Sequence, residues 1–326
     1  MEQKPFVSVL LVTRNEKNYI KMSLMSLIEQ TYPHSHYELI IVDGESDDGT
    51  IDIVKDIQRE YGKPDFPISI ITNPKRILAA GWNLGIKAAK GEYVVRIDAH
   101  ATAAPDFIER SVETVMRVDA ICVGGKLISK SLNGDDDTVS MILSSPFGVG
   151  NSSFRVSEQE GYADTAVYGL YKREIFEKAG YFDETLVRNQ DIEMHSRIKA
   201  AGGKFYFNPQ IQCTYYTRNT VKKMIRQAYG NGFWNMVLLK RGSSALSLRH
   251  LVPFAFVLYL ILSIIGGFFF HPVWYLAIGV VLLHMCLGLV FSIRKSNNVK
   301  DWLIMPFMFL LLHLSYGTGY LVSLFK

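Results

Sequence analysis

Over the first hundred residues, short apolar runs alternate with segments whose apolar positions recur every three or four residues. Phe6 to Val12 (FVSVLLV) is a run fit for a buried strand. After Asn15, Ile20, Leu24, Leu27 and Ile28 fall at helical spacing. Glu38 to Val42 (ELIIV) is a second buried strand and ends in the acidic turn DGESDDGT, where Thr50 is placed to cap a helix carrying Val54, Ile57 and Tyr61 on one face. Ile68 to Ile71 gives a third strand, Leu78 to Ala89 a third helix and Tyr93 to Ile97 a fourth strand, and Pro105 stands where another helix can begin. Four alternations with near-continuous apolar strands predict a parallel sheet covered on both faces. Ligands of such sheets bind beyond the carboxyl ends of the strands. Glu16, Asp43 and Asp98 all lie at or just past such an end, so three strands deliver carboxylates to one rim.

The pattern weakens further on. Leu127 to Phe154, polar and glycine-bearing with Asp135, Asp136 and Asp137 in its middle, reads as a solvated loop. Tyr168 to Tyr171 and Phe205 to Phe207 read as strands, and Ile192 to Ala201 as a helix behind Arg188-Asn189-Gln190-Asp191. From Val221 to Leu239 apolar residues at helical spacing oppose Lys222, Lys223 and Arg226, which predicts an amphipathic helix on a membrane surface, with Gly230 and Gly232 as places where it could break in two.

Hydrophobic residues make up 48% of the 326, but their distribution is uneven: Leu251 to Ile293 and Trp302 to Phe325 contain no Asp, Glu, Lys or Arg. A spanning helix needs about 20 mostly apolar residues. The two stretches accommodate three spans, near 251–270, 273–293 and 302–324. The organisation expected is thus a catalytic domain over 1–220, an interfacial linker over 221–249 and a membrane region over 250–326. The N-terminus lacks the core of a cleavable signal, so the first two-thirds are expected in the cytosol at the inner membrane. Lys240, Arg241, Arg249, Arg294, Lys295 and Lys300 are then on the inner side, and the 265–273 turn and the C-terminus on the outer. Three scattered cysteines fit a reducing compartment, without a disulfide framework or zinc site. A net charge of +4, gathered near the spans, points to membrane lipids rather than nucleic acid.

The first strand is followed by Thr13-Arg14-Asn15-Glu16 in place of a Gly-x-Gly-x-x-Gly fingerprint, which argues against nicotinamide or flavin binding. The acidic turn lacks the glycine and distal acid of a calcium loop, and there is no P-loop. What is present, in order, is VSVLLVTRNE, LIIVDGESDDGT, NPKRILAAGWNLGIKAAKGEYVVRIDAHA, VYGLYKREIFEKAGYFDE and RNQDIEMHSRIKAAGGK. These resemble the inverting nucleotide-sugar glycosyltransferases of family 2 over about Val7 to Tyr216. The Asp-Ala-His variant and C-terminal spans look most like succinoglycan-biosynthesis glucosyltransferases of the ExoA type.

The resemblance implies a GT-A nucleotide-diphospho-sugar transferase fold, a Rossmann-like and mostly parallel α/β sheet, followed by C-terminal transmembrane helices. It implies that Asp43 binds the nucleotide base, that Glu16 helps hold the nucleoside, and that Arg76 and Asn83 contact the donor. The Asp-x-Asp that holds ribose and metal corresponds to Asp98-x-His100. In an extended segment residues two apart face one side, so both can address one ion. Imidazole suits manganese better than magnesium, so Mn2+ is the favoured cation. The alternative is a histidine bonded only to a loop carbonyl. The Glu-Asp pair bearing the catalytic base matches Gln190-Asp191, so Asp191 is the expected base and Gln190 a departure on the acceptor side. Tyr168 and Gly169 correspond to the segment shaping the acceptor pocket. The Gln-x-x-Arg-Trp motif of processive synthases is missing, which implies a single-sugar transfer. The expected donor is a UDP-hexose and the expected acceptor a polyprenyl-diphosphate-linked glycan, within an exopolysaccharide pathway with other polysaccharide-assembly proteins. Two alternatives stay open: direct transfer to polyprenyl phosphate, and a non-catalytic nucleotide-sugar-binding membrane subunit.

Overall fold

A computed structural model describes residues 4–130, 138–150, 152–216, 220–243 and 245–326. In chain order the elements begin β1 (Val7–Thr13), α1 (Ile20–Ile28), β2 (Tyr37–Asp43), α2 (Thr50–Tyr61), β3 (Ile68–Thr72), α3 (Leu78–Ala88), β4 (Tyr93–Asp98), β5 (Ala101–Ala103), α4 (Phe107–Arg117) and β6 (Cys122–Lys130). Next come the short helices α5 (Thr138–Leu143), α6 (Pro146–Val149) and α7 (Ser153–Val156), then β7 (Gly161–Ala163), β8 (Leu170–Lys172), α8 (Ile175–Lys178), α9 (Gln190–Ala200) and β9 (Phe205–Tyr216). Four long helices close the chain: α10 (Val221–Lys240), α11 (Leu248–Phe269), α12 (Pro272–Lys295) and α13 (Val299–Leu324). The chain divides into two compact units, 1–128 with 157–216, and 129–156 with 217–326. The segment 129–156 therefore leaves the 1–220 domain expected from the sequence.

The first unit is built on one mixed sheet of order β3-β2-β1-β4-β8-β6-β9-β5, with β7 on β9. The four alternating units give its parallel half: β1 pairs with β2 and β4, and β2 with β3. Every residue of β1 and β2 is buried, as expected of strands covered on both faces. The other half departs from the mostly parallel expectation, because β8 joins β4 and β6 antiparallel and β9 joins β5 and β7 antiparallel. β9 runs for 12 residues where the sequence marks only Phe205 to Phe207, because its later positions alternate in burial. β8 is shorter than expected, since Tyr168 adopts a left-handed φ of 45° that no strand accommodates. Thr50 is not the cap of α2. Gly49 precedes the helix at φ 92°, and the Asp48 carboxylate accepts from the Thr50 amide (2.9 Å) and hydroxyl (2.5 Å).

In the second unit, the expected solvated loop is replaced by α5, α6 and α7. Val139, Met141 and Ile142 are buried in one apolar cluster with Met305, Met308, Phe309 and Leu312 of α13 and Met224 and Ala228 of α10. Asp135, Asp136 and Asp137 lie outside the described residues. α10 is unbroken, and Gly232 acts as a contact instead. A Cβ on Gly232 would stand 1.9 Å from the Tyr316 carbonyl oxygen, and one on Gly319 would stand 2.1 Å from that of Tyr229. Only bare backbone lets α10 and α13 approach this closely. The Asn235 amide donates to the Tyr316 hydroxyl at 2.6 Å and the Lys240 ammonium to the Ser323 carbonyl at 2.7 Å. The apolar face of α10 is thus covered by α13. α11, α12 and α13 are each long and apolar enough to cross a membrane.

Candidate active site

Strand register sets the first layer of the site. Thr13 pairs with Asp43 and Asp43 with Thr72, while Val12 pairs with Asp98. The carboxyl ends of β1 to β4 therefore finish level, with Asp43 and Asp98 as the last residues of β2 and β4. Asp43 is 6% exposed and accepts from the Ser46 amide (3.0 Å) and hydroxyl (2.6 Å). The acidic turn is a clasp: the Asn15 side-chain amide donates to Asp47 and accepts the Asp47 amide, and Asp48 accepts from the Lys17 amide. Although burial works the other way, the bonds from Thr50 and Lys17 hold the Asp48 carboxyl below the usual carboxylate range.

Glu16, also buried, stands 3.3 Å from His100 Nδ1, and the imidazole meets Tyr215 edge-on with ring centroids 5.0 Å apart. Asp98 instead accepts from the Tyr168 hydroxyl at 3.1 Å. The chain turns at Ala99 and His100 between β4 and β5, so the two-residue alternation of an extended strand does not apply there. Burial, then the Asp98 charge, pushes the Tyr168 phenol well above its ordinary value, so it stays a donor. Gly169 has no room for a side chain: a Cβ would lie 2.5 Å from Cys122 Sγ.

Arg76 pairs with Glu45 at 2.7 Å from Nε and 2.5 Å from its terminal nitrogen. Asn83, expected on the donor, is consumed elsewhere. Its amide donates to the Phe182 carbonyl and to Glu184, and accepts the Phe182 amide, each at 2.9 Å. Gln190 is buried as the first residue of α9, whereas Asp191 is exposed and accepts the adjacent Ile192 amide at 2.9 Å.

Backbone strain marks the same places. Five non-glycine residues among those described have positive φ: Asn15, Glu45, Arg76, Tyr168 and Asn189. Each is, or stands within two residues of, Glu16, Asp43, Arg76, Gly169 or Gln190. Such conformations cost about 1–3 kcal/mol each and persist where the surroundings over-determine them, typically around ligands.

Among the described residues no three His, Cys, Asp or Glu side chains converge as a metal cage. A cation bound through substrate phosphates needs only one or two protein ligands. Asp98 and His100, two positions apart at the end of β4, would supply those ligands, with the Glu16 carboxylate 3.3 Å from Nδ1 orienting the imidazole. Two further residues, Arg96 and His195, stand beside the expected ones without a motif to announce them. Arg96 is the one charge in β4 before Asp98, and His195 lies one turn past Asp191, bonded at 2.6 Å to both Thr165 and Tyr171.

A mixed sheet with acidic strand ends and an acid-bearing helix N-terminus is the architecture of a GT-A sugar transferase. Residues 8–180 match the family Glycosyl transferase family 2, and the chain belongs to it: it is a glycosyltransferase. It is 30% identical over 329 residues, 98% of both chains, to the dolichyl N-acetyl-α-D-glucosaminyl phosphate 3-β-D-2,3-diacetamido-2,3-dideoxy-β-D-glucuronosyltransferase of Methanococcus voltae. It is 26% identical to the succinoglycan biosynthesis protein ExoA of Rhizobium meliloti, over 74% of this chain and 72% of that one. In fold it resembles the mannosyltransferase PcManGT from Pyrobaculum calidifontis, solved in complex with GDP-Man and Mn2+. The TM-score is 0.65 at 19% identity, covering 97% of this chain and 88% of the other.

Proposed function

We propose that the rim binds a nucleoside-diphosphate sugar and passes the sugar, with inversion and one unit at a time, to a lipid-linked sugar at the membrane. The observation that carries this is the concentration of positive-φ residues on the loops bearing Glu16, Asp43, Arg76, Tyr168 and Gln190. The Methanococcus relative, named for a dolichyl-phosphate-linked acceptor, supports a lipid-linked acceptor here too. Glu16 and Asp43 hold the nucleoside, and Arg76 neighbours the diphosphate. Asp98 and His100 hold a divalent cation, manganese in preference to magnesium, which when bound neutralises charge on the departing diphosphate. Asp191 takes the proton from the acceptor hydroxyl as its oxygen bonds to the anomeric carbon, and the bond to the diphosphate breaks on the opposite face. Tyr168 orients Asp98 through its hydrogen bond. The apolar helices hold the enzyme in the inner membrane, its catalytic unit in the cytosol, on the same membrane that carries the acceptor.

The test is nucleoside diphosphate release by the detergent-solubilised full chain over a panel of UDP- and GDP-sugars, with manganese, magnesium or chelator. Acceptors are bare polyprenyl phosphate, polyprenyl phosphate carrying one sugar, and a polyprenyl-diphosphate-linked glycan. Manganese-dependent release with a sugar-bearing lipid is the expected result. Transfer to bare lipid phosphate would replace the acceptor assignment, and full turnover in chelator would remove the cation.

A further inference from the structure

Arg96 sits in β4 between Val95 and Ile97, in a strand with no other charge before Asp98, and is 7% exposed. Its guanidinium lies over three rings, with centroids 4.9 Å away at Phe182, 5.2 Å at Trp82 and 5.8 Å at Tyr171. Nε has no hydrogen-bond partner. Among the described residues the side chain forms no ion pair. Burying a guanidinium this way is costly, and an apolar residue of similar volume is often neutral or stabilising in its place. The three rings recover part of that cost. The remainder calls for a role that an apolar residue lacks.

Two carboxylates supply the context. Arg96 and Asp98, two positions apart in the extended strand β4, share one face of the sheet. The same cage is tied to the helix that carries Asp191. The Tyr171 hydroxyl is bonded to His195 Nε2 at 2.6 Å, and Thr165 to the opposite ring nitrogen. Burial, then the charges of Arg96 and Lys199, keeps His195 neutral. One buried cation therefore serves both proposed reacting ends of the rim, with α9 pinned to its cage.

We infer that Arg96 is a positioning residue for sugar transfer: caged by Trp82, Tyr171 and Phe182, it supplies a fixed positive charge on the face of β4 that carries Asp98, within the cage that is bonded to the helix carrying Asp191, without an ion pair to either carboxylate. This rests on the reading of Asp191 as the base. A direct salt bridge would occupy the carboxylate lone pairs that must accept the acceptor's proton. A cation held back by rings leaves those lone pairs available. Its field also needs no reorganisation during reaction, because the rings fix the guanidinium in place.

The experiment compares Arg96→Met, Arg96→Lys, Asp191→Asn and the double variant Asp191→Asn/Arg96→Met. Each is assayed as the full chain in detergent for kcat, donor KM and thermal midpoint. Arg96→Met is expected to fold with an unchanged or higher midpoint, to keep donor KM within about twofold, and to lose on the order of tenfold or more in kcat, as for removal of one preorganised charge. Arg96→Lys is expected to recover part of kcat because it restores the charge. In the Asp191→Asn background Arg96→Met is expected to cost nothing further, as for groups acting as a unit. Wild-type kcat in Arg96→Met overturns the positioning role, and with Asp191→Asn inactive it leaves the base assignment standing. Turnover preserved in Asp191→Asn overturns the base and the positioning role together. A fall in kcat matched by a fall in midpoint and not relieved by lysine assigns Arg96 to the fold alone.

Discussion

Asn83 separates a donor contact from a structural clamp. Its amide is spent on the segment after α8: it accepts the Phe182 amide, donates to the Phe182 carbonyl and donates to Glu184, each at 2.9 Å. Asn83→Ala leaves both backbone groups of Phe182 unpaired beside a buried ring. An unsatisfied buried group costs about 1–3 kcal/mol. Taking about 1.5 kcal/mol for each gives a loss of about 3 kcal/mol. The bond to Glu184 is left out of the sum, because that carboxylate also pairs with the exposed Lys75. For a unit of this size such a loss lowers the unfolding midpoint by about 6–12 °C. Cys122 and Cys213 are both buried in the first unit, so maleimide labelling on heating, in a Cys286→Ala background, reports that unit by itself. The expected result is an earlier labelling midpoint with donor KM unchanged. An unchanged midpoint together with a tenfold rise in donor KM would refute the clamp and restore Asn83 to the donor site.

Gly169→Ala forces a Cβ to within 2.5 Å of Cys122 Sγ and should cost about 1–3 kcal/mol by overpacking; the same labelling assay, using Cys213, should find most of the loss restored by adding Cys122→Ala. His195 is held neutral when folded, so below its ordinary value near 6.5 the unfolded chain binds a proton that the folded chain refuses. Stability should therefore fall as pH drops from 7.5 to 5.5, by up to about 1.4 kcal/mol per pH unit, and His195→Gln should flatten that slope; equal slopes would contradict it. Gly232→Val places a side chain where a Cβ alone would be 1.9 Å from the Tyr316 carbonyl, and should reduce the monodisperse fraction surviving heat in detergent.

The parallel half of the sheet was legible because each of its strands is a continuous apolar run whose neighbour in space is close in sequence. Asp43 and Asp98 could be placed at one edge for the same reason: a strand end is a position that periodicity marks. Parts of the site that depend on distant segments were not legible. Asn83 looks like a helix-surface amide until Phe182 and Glu184 fold back onto it, and nothing local to NLGIK announces that partner. Arg96 was visible as a charge inside VVRID, but its cage comes from α3, β8 and the loop after α8, which only the mixed half of the sheet brings together.

Glycine illustrates the same limit in the second unit. In sequence, Gly230 and Gly232 punctuate a helical pattern, and the local cost of glycine favours a break. That cost is about 1 kcal/mol per residue and is overridden when the missing side chain permits a contact that any other residue forbids. α13 supplies the contact through Tyr316 and Gly319, some ninety residues later, so the helix continues and its apolar face is spent on protein. Residues 138–143 follow the same logic, since Val139 and Ile142 are too few to define a core until Met308 and Phe309 complete it. In both places a segment that reads as loop or surface becomes interior because its partner is encoded far downstream. The second unit is therefore the part of this chain where local pattern and final packing diverge most.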